Sequence, residues 1–427
     1  RSFAGAIETV QRGLTLAPAA ATLHYLHGLI LQVQGRPEEA ALVYRRVLEL
    51  KPDDAEAHAN LGVAAKDLGA LEEAERHLRH AIALAPSSLG AHASLSQVLL
   101  AAGRYEEAWP HFEARWANFV DDDGRPVSAR PQLALPQWKG ERPDSARSVQ
   151  DRPGRGARLL VVPEQGHGDS LQFARYLPLA LGHFSQVGYI CPPPLRRLFE
   201  QSLCARRPGV VMLDDALPEV NDWDWYCPLM SLPMAFGTRL DNIPAAGYLH
   251  ADAGLAASWR ARLAVLPDPG WPRVGVVWAG GHSGLTEDRA RSLASAQLAP
   301  LLALPGVRWI SLQKTDDPAK RADAAANARL TDWMDEVTDF ADTAALIDNL
   351  DLVISVDTSV AHLAAAMGKP VWLLNRFAGC WRWLRDRDDS PWYPSVRLFT
   401  QRERGNWDEV LERVAAALQQ TFPSHGR

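Results

Sequence analysis

Asp351-Leu-Val-Ile-Ser-Val-Asp-Thr-Ser-Val-Ala-His-Leu-Ala-Ala-Ala-Met-Gly-Lys-Pro-Val-Trp-Leu-Leu374 decides the fold of the C-terminal part of this chain. It reads as an apolar strand, an Asp-Thr-Ser turn, a short helix of small residues, a glycine stop and a second apolar strand. A buried parallel strand that feeds a helix leaves free backbone N–H groups and the positive end of a dipole at its carboxyl edge. Asp357, Thr358 and Ser359 add a carboxylate and two hydroxyls there, and His362 lies on the first turn. The stretch therefore predicts a pocket for a phosphorylated ligand at the edge of an α/β sheet.

Composition bounds what surrounds that pocket. The chain has 427 residues, room for several domains, and a net charge of -6, which argues against a general nucleic-acid binder. Its four cysteines, Cys191, Cys204, Cys227 and Cys380, include no Cys-x-x-Cys pair. Neither a zinc ribbon nor a disulfide framework is predicted, and reduced thiols fit a cytoplasmic protein. No apolar run approaches the roughly 20 residues of a membrane span. The chain starts at Arg1 in mid-pattern, so an upstream segment is open.

The first 120 residues repeat. Pro18, Pro52 and Pro86 are spaced by 34, as are Gly35, Gly69 and Gly103, and Glu-Glu-Ala recurs at 38–40, 72–74 and 106–108. A 34-residue period with glycine at the turn, alanine at the tight contact and proline at the end resembles the tetratricopeptide repeat, two antiparallel helices per unit. Residues 1–18 read as the second helix of a truncated unit, 19–52 and 53–86 as complete units and 87–119 as a divergent last one. Such α-solenoids hold a peptide or partner on their concave side. His24/His27 and His77/His80 sit at i, i+3 spacing, but solvated or packed repeat residues are the better reading than a metal site.

From 120 to 157 the pattern breaks at Asp121-Asp122-Asp123-Gly124 and in the Pro/Arg/Ser/Gly-rich stretch 141–156, which predicts a linker with a mobile insert. The Asp triplet has no strand before it and reads as a solvated turn, so no metal site is assigned. Strands and helices then alternate. Arg158–Val162 is an apolar strand, and the turn Gly166-His167-Gly168-Asp169-Ser170 opens a helix over 171–181, with Asp169 or Ser170 as its cap. Further strands are predicted at 186–190, 209–213, 274–278 and 308–312, and an amphipathic helix over 407–419. Two α/β halves facing a cleft follow.

Five segments in order carry a family resemblance: Glu164–Pro178, Val274–Gly280, Ser311-Leu-Gln313, Val356–Ala364 and Asp389-Ser-Pro-Trp-Tyr-Pro394. The chain resembles bacterial tetratricopeptide-repeat proteins whose C-terminal half is similar to the heptosyltransferases. Its layout is also similar to O-GlcNAc transferases and flagellin glycosyltransferases. The resemblance implies α + α/β architecture: repeats at 1–119, the linker at 120–157 and a GT-B fold of two Rossmann-like domains. Of these, 158–270 is the acceptor side and 271–405 the sugar-nucleotide side, with a closing helix at 406–427. It further implies a nucleotide-diphosphate turn at Asp357, Thr358 and Ser359 beside His362, and a second phosphate loop at Trp278, Ala279, Gly280 and Gly281. The nucleoside side falls on Gln313 and Lys314, and the general base on Asp169. The sequence departs from the family at His167, an alternative base, and at a loop lysine for which Arg289 or Arg291 could substitute.

The function implied is a glycosyltransferase, inverting and metal-independent, that moves a sugar from a nucleotide-diphosphate donor to a protein recruited by the repeats. No cofactor beyond that donor substrate is expected, and a homo-oligomer is compatible with the sequence. Two alternatives stand: transfer to a lipid or saccharide acceptor, and a non-catalytic repeat scaffold. Trp372, Trp381, Trp383 and Trp392 read as sugar- or base-stacking residues or as core.

Overall fold

The computed structural model describes residues 3–117, 131–143, 156–214, 222–268, 270–280, 290–315 and 329–423. The Asp121–Asp123 turn and residues 144–155 of the expected insert lie outside them. The chain forms two compact units. One holds the N-terminal repeats and the later segment Ala378–Arg385; the other holds two parallel sheets with their helices.

The repeat unit contains α1 (Phe3–Leu16), α2 (Ala21–Val33), α3 (Pro37–Leu50), α4 (Ala55–Asp67), α5 (Leu71–Leu84), α6 (Leu89–Ala101) and α7 (Tyr105–Phe112). Gly35, Gly69 and Gly103 follow α2, α4 and α6 at φ of 72°, 77° and 77°. That left-handed conformation closes a helix C-terminus and is nearly free of strain only for glycine. Asp54 and Ser88 cap α4 and α6 by accepting from Ala57 and Ala91 N–H. The periodic alanines Ala40, Ala74 and Ala108 are fully buried. Arg45 donates to Glu73 at 2.8 Å and Arg79 to Glu107, each partner 28 residues further on.

The histidines are packed in the same register. His24, His58 and His92 each present Nε2 to the carbonyl of the proline six residues earlier, at 2.8, 2.9 and 3.0 Å. A carbonyl only accepts, so Nε2 carries the proton and Nδ1 is the acceptor in the neutral ring. His58 Nδ1 then meets His77 Nδ1 at 2.9 Å, and His92 Nδ1 meets His111 Nδ1 at 2.6 Å. His77 is thus a packed repeat residue, in line with the preferred reading, with His58 as its ring partner. Burial lowers the pKa of His58, His77 and His111, that of His77 to about 4.

The far end of this unit is covered by residues that the sequence assigned to the 271–405 span. Trp381, 7% exposed, stands edge-on to Tyr105, Trp109 and Phe112, with centroids 6.3, 6.1 and 5.9 Å away. A last repeat has no successor to bury its apolar end, and Trp381 supplies that cover.

In the second unit one sheet has the order β3-β2-β1-β4, from β1 (Arg158–Val162), β2 (Gln186–Ile190), β3 (Val210–Leu213) and β4 (Trp225–Pro228). The other has the order β10-β9-β8-β5-β6-β7, from β5 (Arg273–Val277), β6 (Arg308–Ser311), β7 (Leu330–Thr331), β8 (Leu352–Val356), β9 (Val371–Asn375) and β10 (Val396–Thr400). Every ladder is parallel, and β8 and β9 are buried throughout, as continuous apolar runs require when both faces are covered. The longer helices are α8 (His167–Phe173), α9 (Ala253–Ala264), α10 (Phe340–Asp348), α11 (Ser359–Ala366) and α12 (Trp407–Thr421). Trp407, Val410, Val414 and Leu418 of α12 join Trp372 and Phe399 in one core.

Two expectations are corrected. Residues 131–143, read as linker, are packed: Trp138 N–H donates to Tyr226 O at 2.8 Å and Tyr226 N–H to Pro136 O at 3.0 Å. The Trp138 ring is fully buried against Phe184 and Phe236, so this stretch covers the open edge of β4. The helix expected over 171–181 begins earlier, at His167, and runs to Ala180 with a tighter 3-10 turn at Ala174–Tyr176 ahead of Pro178. No described helix is long and apolar enough to cross a membrane.

Candidate active site

Parallel strands place all their carboxyl ends, and the turns that follow, along one edge of each sheet. On the second sheet β8 ends at Val356 and runs through Asp357 into Thr358, whose extended backbone (φ -140°, ψ 168°) precedes α11. The Thr358 hydroxyl pairs with Ser355 Oγ at 2.9 Å instead of capping the helix. The small residues Ala361, Ala364, Ala365 and Ala366 are buried, which lets the backbone of α11 approach its neighbours.

That neighbour is the first turn of α8, which leaves β1 of the other sheet. A Cβ on Gly168 would lie 3.1 Å from His362 Cδ2 and 3.7 Å from Ser359 Cα. A side chain there would be tight unless the His362 ring gave way by a few tenths of an ångström, so glycine favours this approach of the two helix starts. His362 is 4% exposed; its Nδ1 is 3.1 Å from the Tyr393 hydroxyl and its Nε2 3.7 Å from Asp357 Oδ1. Its packed position and its place beside the Asp-Thr-Ser turn hold together.

Asp169 sits at the third position of α8, and its Oδ2 accepts from the Gly166 N–H at 3.0 Å. The carboxylate thus closes the turn from within the helix, whose N-cap is Gly166 and not Asp169 or Ser170 as expected. A carboxylate offers about four lone-pair sites, so capping and proton acceptance are compatible. His167 stands edge-on to Phe340 at 5.4 Å, and burial lowers its pKa, which keeps the ring neutral near pH 7. Gln165, just before, has φ 55° and turns the chain into the helix.

The β5 turn is self-contained. The N–H groups of Trp278 and Ala279 donate to Gln313 Oε1 at 3.1 and 2.9 Å, and Gly280 N–H donates to Ser292 Oγ at 3.0 Å. Gln313 therefore ties the end of β6 to the end of β5, and Trp278 is buried in the core. The Lys314 ammonium donates to Val337 O. A Cβ on Gly280 would be 2.5 Å from Arg291 Nε, and Arg291 Nη1 donates to Asp357 O at 2.8 Å. Arg291 thus links the β5 and β8 turns and brings a guanidinium to the Asp357 side. Gly281 and Arg289 lie outside the described residues.

Of the sequence-derived residues, Asp357, Thr358, Ser359, His362, Gly168 and the Asp169 turn come together, while Gln313 ties the β5 and β6 ends and Lys314 reaches Val337. Trp372, Trp383 and Trp392 are core side chains. Sequence reasoning missed Tyr393 as a partner of His362, and Arg175. The Arg175 guanidinium is buried over the rings of Tyr393 at 4.7 Å, Tyr248 at 4.9 Å and Trp392 at 5.4 Å. Tyr393 lay in a quoted motif, but nothing local links it to His362, 31 residues away.

A tetratricopeptide repeat family matches residues 1–55, 25–88 and 59–116. Glycosyltransferase family 9 (heptosyltransferase) matches residues 316–374, the span that includes β8, α11 and most of β9. Protein FlbA of Caulobacter vibrioides is 31% identical over 332 residues, which cover 73% of this chain and 52% of FlbA. The chain thus spans about half the length of that relative. The crystal structure of MamA is similar over 26% of this chain and 66% of its own, at 26% identity and a TM-score of 0.25. MamA of Desulfovibrio magneticus RS-1 is similar over 26% and 63%, at 24% identity and a TM-score of 0.25. Together, the two family matches and the FlbA relative fit a tetratricopeptide-repeat plus glycosyltransferase architecture.

Proposed function

We propose that this chain is a cytoplasmic glycosyltransferase that moves a sugar from a nucleotide-diphosphate donor to a protein held by the repeats. We read its two sheets, with their helices, as the halves of a GT-B fold. The observation that carries the reading is the meeting of two helix starts at Gly168 and His362, one with Asp169 and His167, the other with Asp357, Thr358 and Ser359.

In this reading the diphosphate lies at the N-terminus of α11, with Arg291 nearby. The acceptor hydroxyl oxygen attacks the anomeric carbon as its proton passes to the Asp169 carboxylate. The bond from the anomeric carbon to the phosphate oxygen breaks, and its electron pair leaves with the nucleotide diphosphate. The α11 dipole and the Arg291 guanidinium oppose the charge that grows on that leaving oxygen. Neutral His167 is the second candidate for the base. The match to the heptosyltransferase model favours one other reading, a saccharide acceptor with the same donor chemistry.

Calorimetry with a panel of nucleotide diphosphates, with and without a chelator, tests the donor. Binding of one member at equal affinity in both conditions is expected; binding by none, or only without the chelator, overturns it. Mass spectrometry of cellular proteins with and without the chain then separates a protein acceptor, seen as a mass shift, from a saccharide.

A further inference from the structure

We propose that Tyr393 is a positioning residue: its hydroxyl, braced by Arg175, fixes His362 as the tautomer that carries its proton on Nε2, toward Asp357 and the Gly168 turn. Only the identity of the ligand met by that N–H, a diphosphate oxygen, rests on the reading above.

The tautomer follows from what faces each ring nitrogen. Nε2 is 3.7 Å from Asp357 Oδ1, and a lone pair there would point at a carboxylate, whereas an N–H is attracted to it. In the neutral ring with the proton on Nε2, Nδ1 can only accept, so the Tyr393 hydroxyl at 3.1 Å donates to it. Tyr393 keeps that proton, because burial holds its hydroxyl well above the usual tyrosine range.

The surroundings leave the hydroxyl little choice. The Arg175 guanidinium lies over the Tyr393 ring at 4.7 Å and over the Tyr248 ring at 4.9 Å. Arg175 has donors alone, so it offers the Tyr393 proton no acceptor. Tyr248 spends its own proton on Leu171 O at 2.7 Å, and its phenol oxygen is a weaker base than an imidazole nitrogen. Arg175 is itself fixed, donating to Gln172 O at 3.0 Å and to Pro244 O and Trp392 O at 2.9 Å. A cation this buried and tied to backbone from three segments is a rigid support.

Two-dimensional NMR of the full chain labelled with ¹⁵N in its histidine rings tests the tautomer, with the His362 signal assigned by its loss in His362→Gln. A protonated Nε2 and an unprotonated Nδ1 are expected, and Tyr393→Phe, which keeps the ring over Arg175, should mix the two tautomers. A wild-type signal protonated on Nδ1, or a tautomer unchanged in Tyr393→Phe, overturns the proposal, and the wild-type arm needs no variant beyond the assignment. In calorimetry with uridine and guanosine diphosphates, each single variant should weaken binding roughly 3- to 10-fold, and the double variant no more than the worse single. Full additivity would also overturn the positioning role. If wild type binds neither nucleotide, the donor reading fails while the tautomer measurement still decides the role of Tyr393.

Discussion

A Cβ on Gly168 would stand 3.1 Å from Cδ2 of His362. The two residues come from different sheets of the second unit, yet their separation sets how closely the β1 and β8 turns approach. Gly168→Ala should therefore act on both stability and ligand binding. His362 is 4% exposed and held at Nδ1 by the Tyr393 hydroxyl, with little freedom to withdraw, so overpacking of about 1–3 kcal/mol is expected. Melting curves and nucleotide calorimetry check it; a variant with wild-type melting temperature and affinity would show that the approach is slack.

Asp169→Asn separates capping from chemistry. The asparagine oxygen can still accept from the Gly166 N–H, so stability should hold within about 1 kcal/mol. Turnover should fall by roughly 10²–10⁴-fold, since the amide cannot take the acceptor proton. Normal turnover in a stable variant would move the base to His167, whose replacement by asparagine is the next measurement.

The histidine pairs make the repeats sensitive to acid. His77 titrates near pH 4 in the folded chain, against 6.5 unperturbed, because burial disfavours its charged form. Arg76 and Arg45 push the same way and Glu73 opposes them. His58 and His111 are lowered too, again chiefly by burial. Between these limits the unfolded chain binds more protons, so stability is complete above about pH 6.5 and is lost as the pH falls toward 4. Protonation of His58 at Nδ1 would also set two N–H groups head to head across its contact with His77. Circular dichroism melting from pH 7.5 to 4 should show the decline, and His77→Asn should flatten part of it. A flat profile in wild type contradicts the account.

Trp381 should matter to the repeats although it lies far from them in sequence. Truncation to alanine removes a ring buried against Tyr105, Trp109 and Phe112 and should cost about 3–5 kcal/mol. Limited proteolysis should then cut first within α6 and α7, and Trp381→Phe should recover part of the protection. Unchanged proteolysis in the alanine variant would make the contact incidental.

The repeats were legible because their signals are local and periodic: a glycine that must reach positive φ recurs every 34 residues with an alanine that must be buried. The strand–turn–helix at Leu352–Ala366 was legible for the same reason, since an apolar run ends at a capping turn. β4 and β10 escaped notice, since Trp225–Pro228 is short and ends in proline, and Arg397 interrupts the apolar run of Val396–Thr400. Leu133, Leu135 and Gln137 alternate up to Trp138, a strand-like signal that the neighbouring prolines Pro131 and Pro136 obscured. The site was half legible. Asp357, Thr358 and His362 announce themselves by motif, but Tyr393, Arg175 and Trp381 act through contacts set by tertiary folding, which no local pattern encodes.

The Arg45–Glu73 and Arg79–Glu107 pairs carry a consequence for how this array can change length. With partners 28 residues apart in a 34-residue period, each pair spans a junction and belongs to no single repeat. Duplicating or excising 34 residues would therefore regenerate a complete junction, arginine facing glutamate, wherever the break fell between them. The solenoid can gain or lose a unit by simple recombination without stranding a charge, whereas the Trp381 cover fits only the last unit. Variation in repeat number should accordingly enter upstream of Tyr105 and leave the terminal cluster untouched.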